Sequence, residues 1–225
     1  MPERAFPSLK HHFLVSLPSL SEGIFAHSLC YLCEHDEQGA MGLIVNHPLD
    51  MDVSEILEQL ELDNRAAIPE EAIYAGGPVH TDRGFVLHRR DTQSWEASLL
   101  VNNDMAVTTS LDILEAIAEQ RGPKEHLIAL GYAGWGPGQL EEELADNAWL
   151  SLPADPKILF EIPAEERIDA ALAQPTGDAG PLNSHRQVVR ALDQLHELAP
   201  EYLERFVGYV DTLMALEKAL GNRRG

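Results

Sequence analysis

Short apolar runs alternate with helically spaced apolar stripes along the first 173 residues. Runs of strand length occupy residues 13–20, 24–33 and 41–46. The last two are separated by a polar stretch that ends in glycine, so they predict a hairpin, and Pro48 is expected to end it.

Two helices are marked by capping residues and apolar spacing. Asp52 with Glu55 three residues later is a capping-box pattern, and Ser110 is expected to cap the second helix. The apolar stripes that follow these caps are Val53, Ile56, Leu57 and Leu60, and then Leu111, Leu114, Ile117 and Ala118.

The remaining strands are joined by tight turns, which favours antiparallel pairing. They are predicted at residues 72–74, 85–88, 98–101, 105–109, 127–132 and 148–152. Further helices are expected at residues 140–145 and from Pro163 to about residue 173. The pattern predicts an α+β fold with a mainly antiparallel sheet, bent or partly barrel-like, and helices packed against it.

The character of the chain changes after residue 173. Residues 174–184 are rich in Pro, Gly, Asn and Ser and predict a linker. Residues 185–225 carry two helical stripes separated by Pro200, which predict a helical hairpin. We therefore divide the chain into a domain at residues 1–173, the linker and the hairpin.

The net charge limits the partners that the protein can have. There are 37 acidic and 16 basic residues, a net charge of −21, and residues 185–225 contribute nothing to it because they hold six of each sign. This balance argues against direct binding of nucleic acid and favours protein partners. No apolar run approaches the ~18 residues of a membrane span, and no signal peptide is apparent, so we expect a cytoplasmic protein.

The only two cysteines, Cys30 and Cys33, have C-x-x-C spacing. On a strand this spacing places the two thiols on opposite faces, which favours small core residues over a working dithiol. The nearby acids Glu34 and Asp36 would also raise a thiol pKa.

No catalytic, cofactor or metal site is predicted from the motifs. The glycines around Trp135 lack the spacing of a phosphate-binding loop, and the acids Glu141, Glu142 and Glu143 that follow would repel phosphate. There is no G-x-S-x-G nucleophile elbow, and the ten histidines lack the spacing of a metal site.

One polar group stands out at a predicted helix-to-strand junction, where Asp146, Asn147 and Trp149 lie together. Arg83 and Arg167 are rare cations in the acidic part of the chain, and such a cation commonly anchors a carboxylate. We therefore expect Arg83 to pair with an acid such as Asp146.

Several ordered strings over residues 9–172 resemble the bacterial AlgH/YqgE family. They are HDEQGAMGLIVNHP from His35, GGPV from Gly76, DRGFVLH from Asp82, TTS from Thr108 with DIL from Asp112, LGYAGW from Leu130, GQLE from Gly138 and DNAWL from Asp146. The resemblance implies a compact cytosolic α+β domain with a bent antiparallel sheet. The AlgH name implies a role in transcriptional control of alginate production, with an unsettled biochemical activity.

The resemblance also suggests site residues. Cys33 lies where relatives carry a cysteine, and a polar surface group would comprise His35, Asn46, Arg83, His88 and Asn147. Residues 185–225 fall outside the resemblance. They could be a simple extension, a fused partner segment or a dimerisation arm that gives a homo-oligomer.

Three functions remain open. The first is a non-enzymatic regulatory or interaction protein, which the acidic charge and the lack of catalytic motifs favour. The second is a thiol-redox protein that uses Cys33 with His35. The third is a protein that binds a small anionic ligand near Arg83 and Trp149.

Overall fold

The computed structural model describes residues 7–17, 19–20, 22–59 and 71–174. The predicted hairpin at residues 185–225 and nearly all of the predicted linker lie outside this range, so the proposed domain division stays a prediction. Within it the strands are β1 (His12–Ser16), β2 (Leu29–Asp36), β3 (Gly39–Ile44), β4 (Pro48–Asp52), β5 (Ala72–Ala75), β6 (Val79–Arg89), β7 (Ser98–Leu100), β8 (Met105–Thr108), β9 (His126–Trp135) and β10 (Trp149–Pro153). The helices are α1 (Val53–Gln59), α2 (Leu111–Ala118), α3 (Gln139–Ala145), α4 (Pro156–Phe160) and α5 (Arg167–Leu172), with 3-10 turns at Gly23–Phe25 and Ala164–Glu166.

The strands form one curled sheet in the order β10-β1-β2-β3-β9-β6-β8-β7. All neighbours in this order are antiparallel, whereas β5 runs parallel to β9 and also pairs with β4. The expectation of an α+β fold with a mainly antiparallel, partly barrel-like sheet is confirmed.

Alternating side chains place separate cores on the two faces of the sheet. On β2, Leu29, Tyr31 and Cys33 face a core that α4 and α5 cover. The intervening Cys30 and Leu32 face the opposite core, which α3 covers. Further along that second face, α1 and α2 cover Val86 of β6 and Ile128 of β9. The period of two along a strand explains this arrangement.

Side-chain hydrogen bonds hold the predicted start of α1 and the turn between β7 and β8. The Asp52 carboxylate accepts the backbone N–H of Glu55 at 3.1 Å and the hydroxyl of Ser54 at 2.5 Å at the start of α1. The turn between β7 and β8 is held by the Asn102 side chain, which accepts the N–H groups of Asp104 and Met105 at 2.8 Å each. Side-chain acceptors of this kind satisfy backbone donors that no strand or helix partner reaches.

The β2–β3 hairpin ends at Ile44, before Pro48, and Pro48 begins β4, where the first position of a strand tolerates the missing N–H. Other local predictions were wrong. The strand predicted from residue 24 starts as a 3-10 turn, and β9 continues through Gly131 and Gly134 to Trp135. Helix α4 was missed, although Asp155 caps it by accepting the N–H of Lys157 at 2.9 Å.

Candidate functional site

An open cleft of about 670 Å³ lies on the second face of the sheet, between α1 and α2. Strands β6 and β9 supply side chains to it, while Met51 of β4 and Ile56 of α1 approach from one side and Leu111 and Leu114 of α2 from the other. Its remaining lining residues are Thr81, Asp82, Arg83, Gly84, Val86, Thr108, Thr109, Ser110, Ile128 and Leu130. This volume lies in the range of about 300–1,000 Å³ that is typical of binding pockets.

Arg83 provides the positive charge of this cleft. Its side chain is exposed, Nη2 donates to Thr109 Oγ1 at 3.1 Å, and the guanidinium carbon lies 5.8 Å from the centre of the Phe85 ring. A guanidinium presents five N–H donors in a planar fork. Among the described residues only Thr109 accepts a hydrogen bond from Arg83, which leaves the other donors of this side chain to a bound group.

A hydrogen-bond network fixes the start of α2 at the edge of the cleft. Asp112 accepts the Ser110 hydroxyl at 2.5 Å and the N–H groups of Ile113 and Glu96 at 2.9 Å each. Burial alone would raise the pKa of Asp112, but these hydrogen bonds outweigh it and lower the pKa. Ser110 occupies the predicted cap position, yet its oxygen accepts the N–H of Ala97 and not a helix N–H.

Two glycines allow the backbone approach that places β6 beside β9. Gly131 has φ +72° and lies so close to Gly77 that a Cβ on Gly131 would be 2.5 Å from the Gly77 carbonyl oxygen. The β6–β9 register shifts between Val79 and Gly84 beside this point. A side chain at position 131 is therefore excluded, and the irregular part of β6 carries Asp82 and Arg83 to the cleft.

The predicted pair of Arg83 and Asp146 is not formed between these described residues. Arg83 lies on β6 and donates to Thr109, while Asp146 is exposed at the end of α3. The reason is topological: α3 packs against β10 and β3, whereas the cleft belongs to the α1 and α2 end of the sheet. The second rare cation, Arg167, is buried and donates to the carbonyls of Val45 and Ile162.

Trp149 belongs to a separate cluster that sequence reasoning missed. Glu143 of α3 accepts the indole N–H groups of both Trp135 and Trp149 at 2.8 Å, and its other oxygen accepts the Gln139 amide at 2.9 Å. The rings of the two tryptophans meet edge to face, with centroids 6.0 Å apart. The available signal was the spacing of Gln139 and Glu143, one helical turn apart.

The Cys33 and His35 side chains lie on opposite sides of β2, because the register shift between Leu32 and Glu34 interrupts the regular alternation of the strand. Cys33 is fully buried in the first core, and burial raises the pKa of its thiol well above the ordinary value. His35 is buried beside α3, where Nδ1 accepts the N–H of Leu9 at 2.8 Å and Nε2 faces Glu141 Oε1 at 2.9 Å. A protonated, inaccessible thiol is a poor nucleophile, so this geometry does not support a redox pair.

The other predicted site residues stabilise local structure. Asn46 holds the turn before β2, since its side chain accepts the N–H of Leu29 at 2.7 Å and donates to the His27 carbonyl at 2.8 Å. Asn147 is exposed with φ +57°, and its carbonyl accepts the Ser19 hydroxyl. The predicted polar surface group is therefore dispersed, and Arg83 is its member that lines the cleft.

His88 is buried on β6, within hydrogen-bond distance of Thr108, which lines the cleft. Its Nδ1 faces the Arg89 carbonyl at 3.1 Å, so this nitrogen carries the proton and Nε2 accepts the hydroxyl of Thr108 at 2.9 Å. Burial lowers the pKa of His88. The Thr108 oxygen is in turn 2.7 Å from the exposed Ser98 hydroxyl.

Within the described residues, no group of three or more His, Cys, Asp or Glu side chains is placed to hold a metal ion. None of the described helices combines the length and the apolar character that crossing a membrane requires.

The curled sheet and the short helices define an α+β protein with an open cleft between α1 and α2. The AlgH-like family model (DUF179) matches residues 13–180, and the chain therefore belongs to the AlgH-like family. A second family model, described as a protein of unknown function (DUF2894), matches residues 157–221.

Individual relatives agree with this assignment. A UPF0301 protein of Saccharophagus degradans is 51% identical over 175 residues, which cover 77% of this chain and 86% of the relative. The solution structure of the AlgH protein from Pseudomonas aeruginosa is 48% identical with a TM-score of 0.65, and the match covers 80% of this chain and 100% of that protein. A crystal structure from Corynebacterium diphtheriae, at 24% identity and a TM-score of 0.59, shares the fold over 80% of this chain and 92% of that protein.

Proposed function

We propose that this AlgH-like protein is a non-enzymatic interaction module that docks a partner protein in the cleft between α1 and α2. The observation that carries the proposal is the cleft itself. It is open, its side walls are apolar, and Leu111 on its edge is 46% exposed. Large apolar side chains exposed beside a cavity are typical of a docking surface.

The strings of sequence that resemble the AlgH/YqgE family support the same location. The DRG of residues 82–84 and the TTS of residues 108–110 are separate in sequence, and all six residues line the cleft. We infer a cytoplasmic regulatory role in which the protein acts on other proteins, because its charge of −21 disfavours direct contact with DNA.

The test is affinity capture from a bacterial lysate with three forms of the full chain: wild type, Leu111→Ser and Leu100→Ser. Leu100 is a matched control because it is 52% exposed on β7 and does not line the cleft. We expect a specific partner to be retained by wild type and Leu100→Ser and lost with Leu111→Ser. Equal capture by all three forms would contradict docking in the cleft.

A small anionic ligand is the second candidate function, because the free donors of Arg83 face an apolar cavity of suitable volume. Trp149 takes no part in this version of the hypothesis, since it packs beside α3. A metabolite that raises the melting temperature of wild type but not of Arg83→Gln would favour this function over protein docking.

We also propose that residues 185–225 are a fused segment with a role of its own, which includes self-association. The separate family model over residues 157–221 supports this view. Because the AlgH-like family model ends at residue 180 and 80% of this chain covers all of the Pseudomonas AlgH structure, a 1–174 truncation is a reasonable comparison. Light scattering should show more protomers per particle for the full chain than for the truncation. The same number of protomers in both forms would oppose self-association through residues 185–225.

A further inference from the structure

Two opposite charges line the cleft between α1 and α2. Asp82 and Arg83 are adjacent on β6, and both are exposed and line this cavity. Neighbouring side chains on a regular strand point to opposite faces. The β6–β9 register, however, assigns no partner to residues 80–83, and this irregular stretch lets both side chains reach the same cleft.

Neither charge is neutralised by another described residue. No ion pair joins Asp82 and Arg83 to each other or to a third side chain within the described part of the chain. Arg83 donates to the Thr109 hydroxyl, and the Asp82 carboxylate accepts no hydrogen bond from the described residues. The two charges sum to zero, yet each can bind a separate group of opposite charge.

The cleft also offers apolar walls and open space next to these charges. Ile56 of α1 and Leu111 and Leu114 of α2 form aliphatic walls. Gly84 follows Arg83 and also lines the cleft, and a Cβ atom on Gly84 would meet nothing within 4 Å. A small ligand can therefore place charged groups at Asp82 and Arg83 and an aliphatic group between the walls.

We propose that the cleft binds an aliphatic α-amino acid in its zwitterionic form. The ammonium group donates to the Asp82 carboxylate, the ligand carboxylate accepts from the Arg83 guanidinium, and the side chain packs against Ile56, Leu111 and Leu114. A ligand with a single charge loses one of the two charge-assisted contacts, so the pair selects a zwitterion. This inference rests on the small-ligand function proposed for the same cleft and names the ligand as a zwitterion.

The experiment is isothermal titration calorimetry of the full chain with four probes. L-Leucine carries both charges, 4-methylpentanoate keeps only the carboxylate, isopentylamine keeps only the ammonium group, and glycine lacks the aliphatic side chain. We expect L-leucine to bind at least about tenfold more tightly than each of the other probes, because each of them lacks one of the three contacts.

Charge variants assign each polar contact to its residue. Asp82→Asn should weaken L-leucine at least about fivefold and change 4-methylpentanoate less than about twofold, because that probe has no ammonium group. Arg83→Gln should weaken L-leucine by a similar factor and leave isopentylamine unchanged within the same limit. Arg90→Gln and Asp91→Asn are matched controls without an expected effect, since these exposed neighbours carry the same two charges and do not line the cleft.

A steric variant tests the location of the ligand. Gly84→Val fills the open space beside Arg83 and should abolish L-leucine binding while the protein stays folded, because the added Cβ atom meets no neighbour and the Gly84 backbone is not left-handed. Gly136→Val is the control: Gly136 is exposed outside the cleft, and a Cβ atom there would come no closer than 3.9 Å to Gln139. The melting temperature without ligand shows whether both variants fold.

The failures are distinguishable. If 4-methylpentanoate binds as tightly as L-leucine and depends on Arg83, the cleft binds simple anions and the zwitterion is wrong. If isopentylamine or glycine binds as tightly, if no probe binds, or if L-leucine binding survives Gly84→Val or either charge variant, the inference is overturned. Protein docking is decided separately by capture with Leu111→Ser, so its success or failure does not depend on L-leucine.

Discussion

At the scale of single residues, one carboxylate, that of Glu143, holds two buried tryptophans in place. Its carboxylate accepts N–H groups from two buried indoles, Trp135 and Trp149, and thereby joins α3 to β9 and β10. A buried donor that loses its partner costs about 1–3 kcal/mol. The carboxylate therefore determines whether two large aromatic side chains can remain in the second core.

We expect Glu143→Ala to lower the free energy of unfolding by about 2–4 kcal/mol, since two indole N–H groups lose their acceptor. Urea unfolding followed by tryptophan fluorescence measures the change. Glu142→Ala is the control because Glu142 is exposed on the same helix, and its effect should stay within about 0.5 kcal/mol. Equal stabilities of the two variants would show that water replaces the Glu143 acceptor.

The roles of some residues could be predicted from the sequence, and those of others could not. Asp52 and Asn102 act on backbone groups within three residues, so their roles could be derived from local spacing. Arg83 could be singled out as a rare cation, but its hydrogen-bond partner Thr109 is brought to it by the pairing of β6 with β8, which one sequence does not specify. Its assignment to Asp146 failed for that reason.

At the scale of elements, the pairing of β6 with β9 brings two histidines together whose pKa values shift in opposite directions. His88 lies directly opposite His126 in the antiparallel register. Burial lowers the pKa of His88. Burial also disfavours the charged form of His126, but Glu71, whose Oε2 is 2.9 Å from His126 Nε2, outweighs it and raises the pKa of His126 above 6.5.

We expect His126 to gain its proton first as the pH falls, and His88 to gain its proton below pH 6.5. NMR titration of the imidazole ring protons measures both. The stabilisation from protonated His126 is complete below its unfolded pKa and is lost as the pH rises through the higher folded value. The contribution of His88 has the opposite sign, since stability is lost as the pH falls below its unfolded pKa.

Replacing Glu71 tests the cause of the His126 shift. Glu71→Gln should lower the pKa of His126 and should reduce stability more at low pH, where His126 is protonated, than at a pH above its folded pKa. Glu125→Gln is the matched control because Glu125 contacts Arg89 through its carboxylate. A His126 pKa that is unchanged by Glu71→Gln would exclude the carboxylate as the cause.

The elements themselves were predictable where periodicity was strong. The α1 and α2 stripes and the β7–β8 hairpin follow from spacing and turn residues. Helix α4 spans five residues, too short for an apolar stripe to be recognised. The cleft could not be derived, because it depends on where α1 and α2 lie over β6 and β9, strands that are about 40 residues apart in the sequence.

At the scale of the whole molecule, Cys30 and Cys33 report on the integrity of both cores. Each thiol is fully buried, and the two face opposite sides of β2. Burial raises the pKa of both thiols. Neither can react as a thiolate unless the sheet separates from the helices that cover it.

We expect both thiols of the native protein to react with a thiol-specific reagent at pH 8 only at the rate of unfolding. Mass spectrometry after timed exposure measures the modification, and denatured protein, in which both sites react at once, is the control. Faster modification of Cys33 alone in the folded protein would show local opening of the first core and would support the hypothesis that Cys33 is a reactive thiol.

The pairing of β1 with β10 has a consequence for how this protein is made. His12 lies opposite Pro153, so the first described strand needs a partner that is encoded more than a hundred residues later. During translation the apolar β1 emerges early and has only β2 beside it until the ribosome has delivered β10. Nascent chains would expose that edge for most of their synthesis, which makes it the natural place for a chaperone to act.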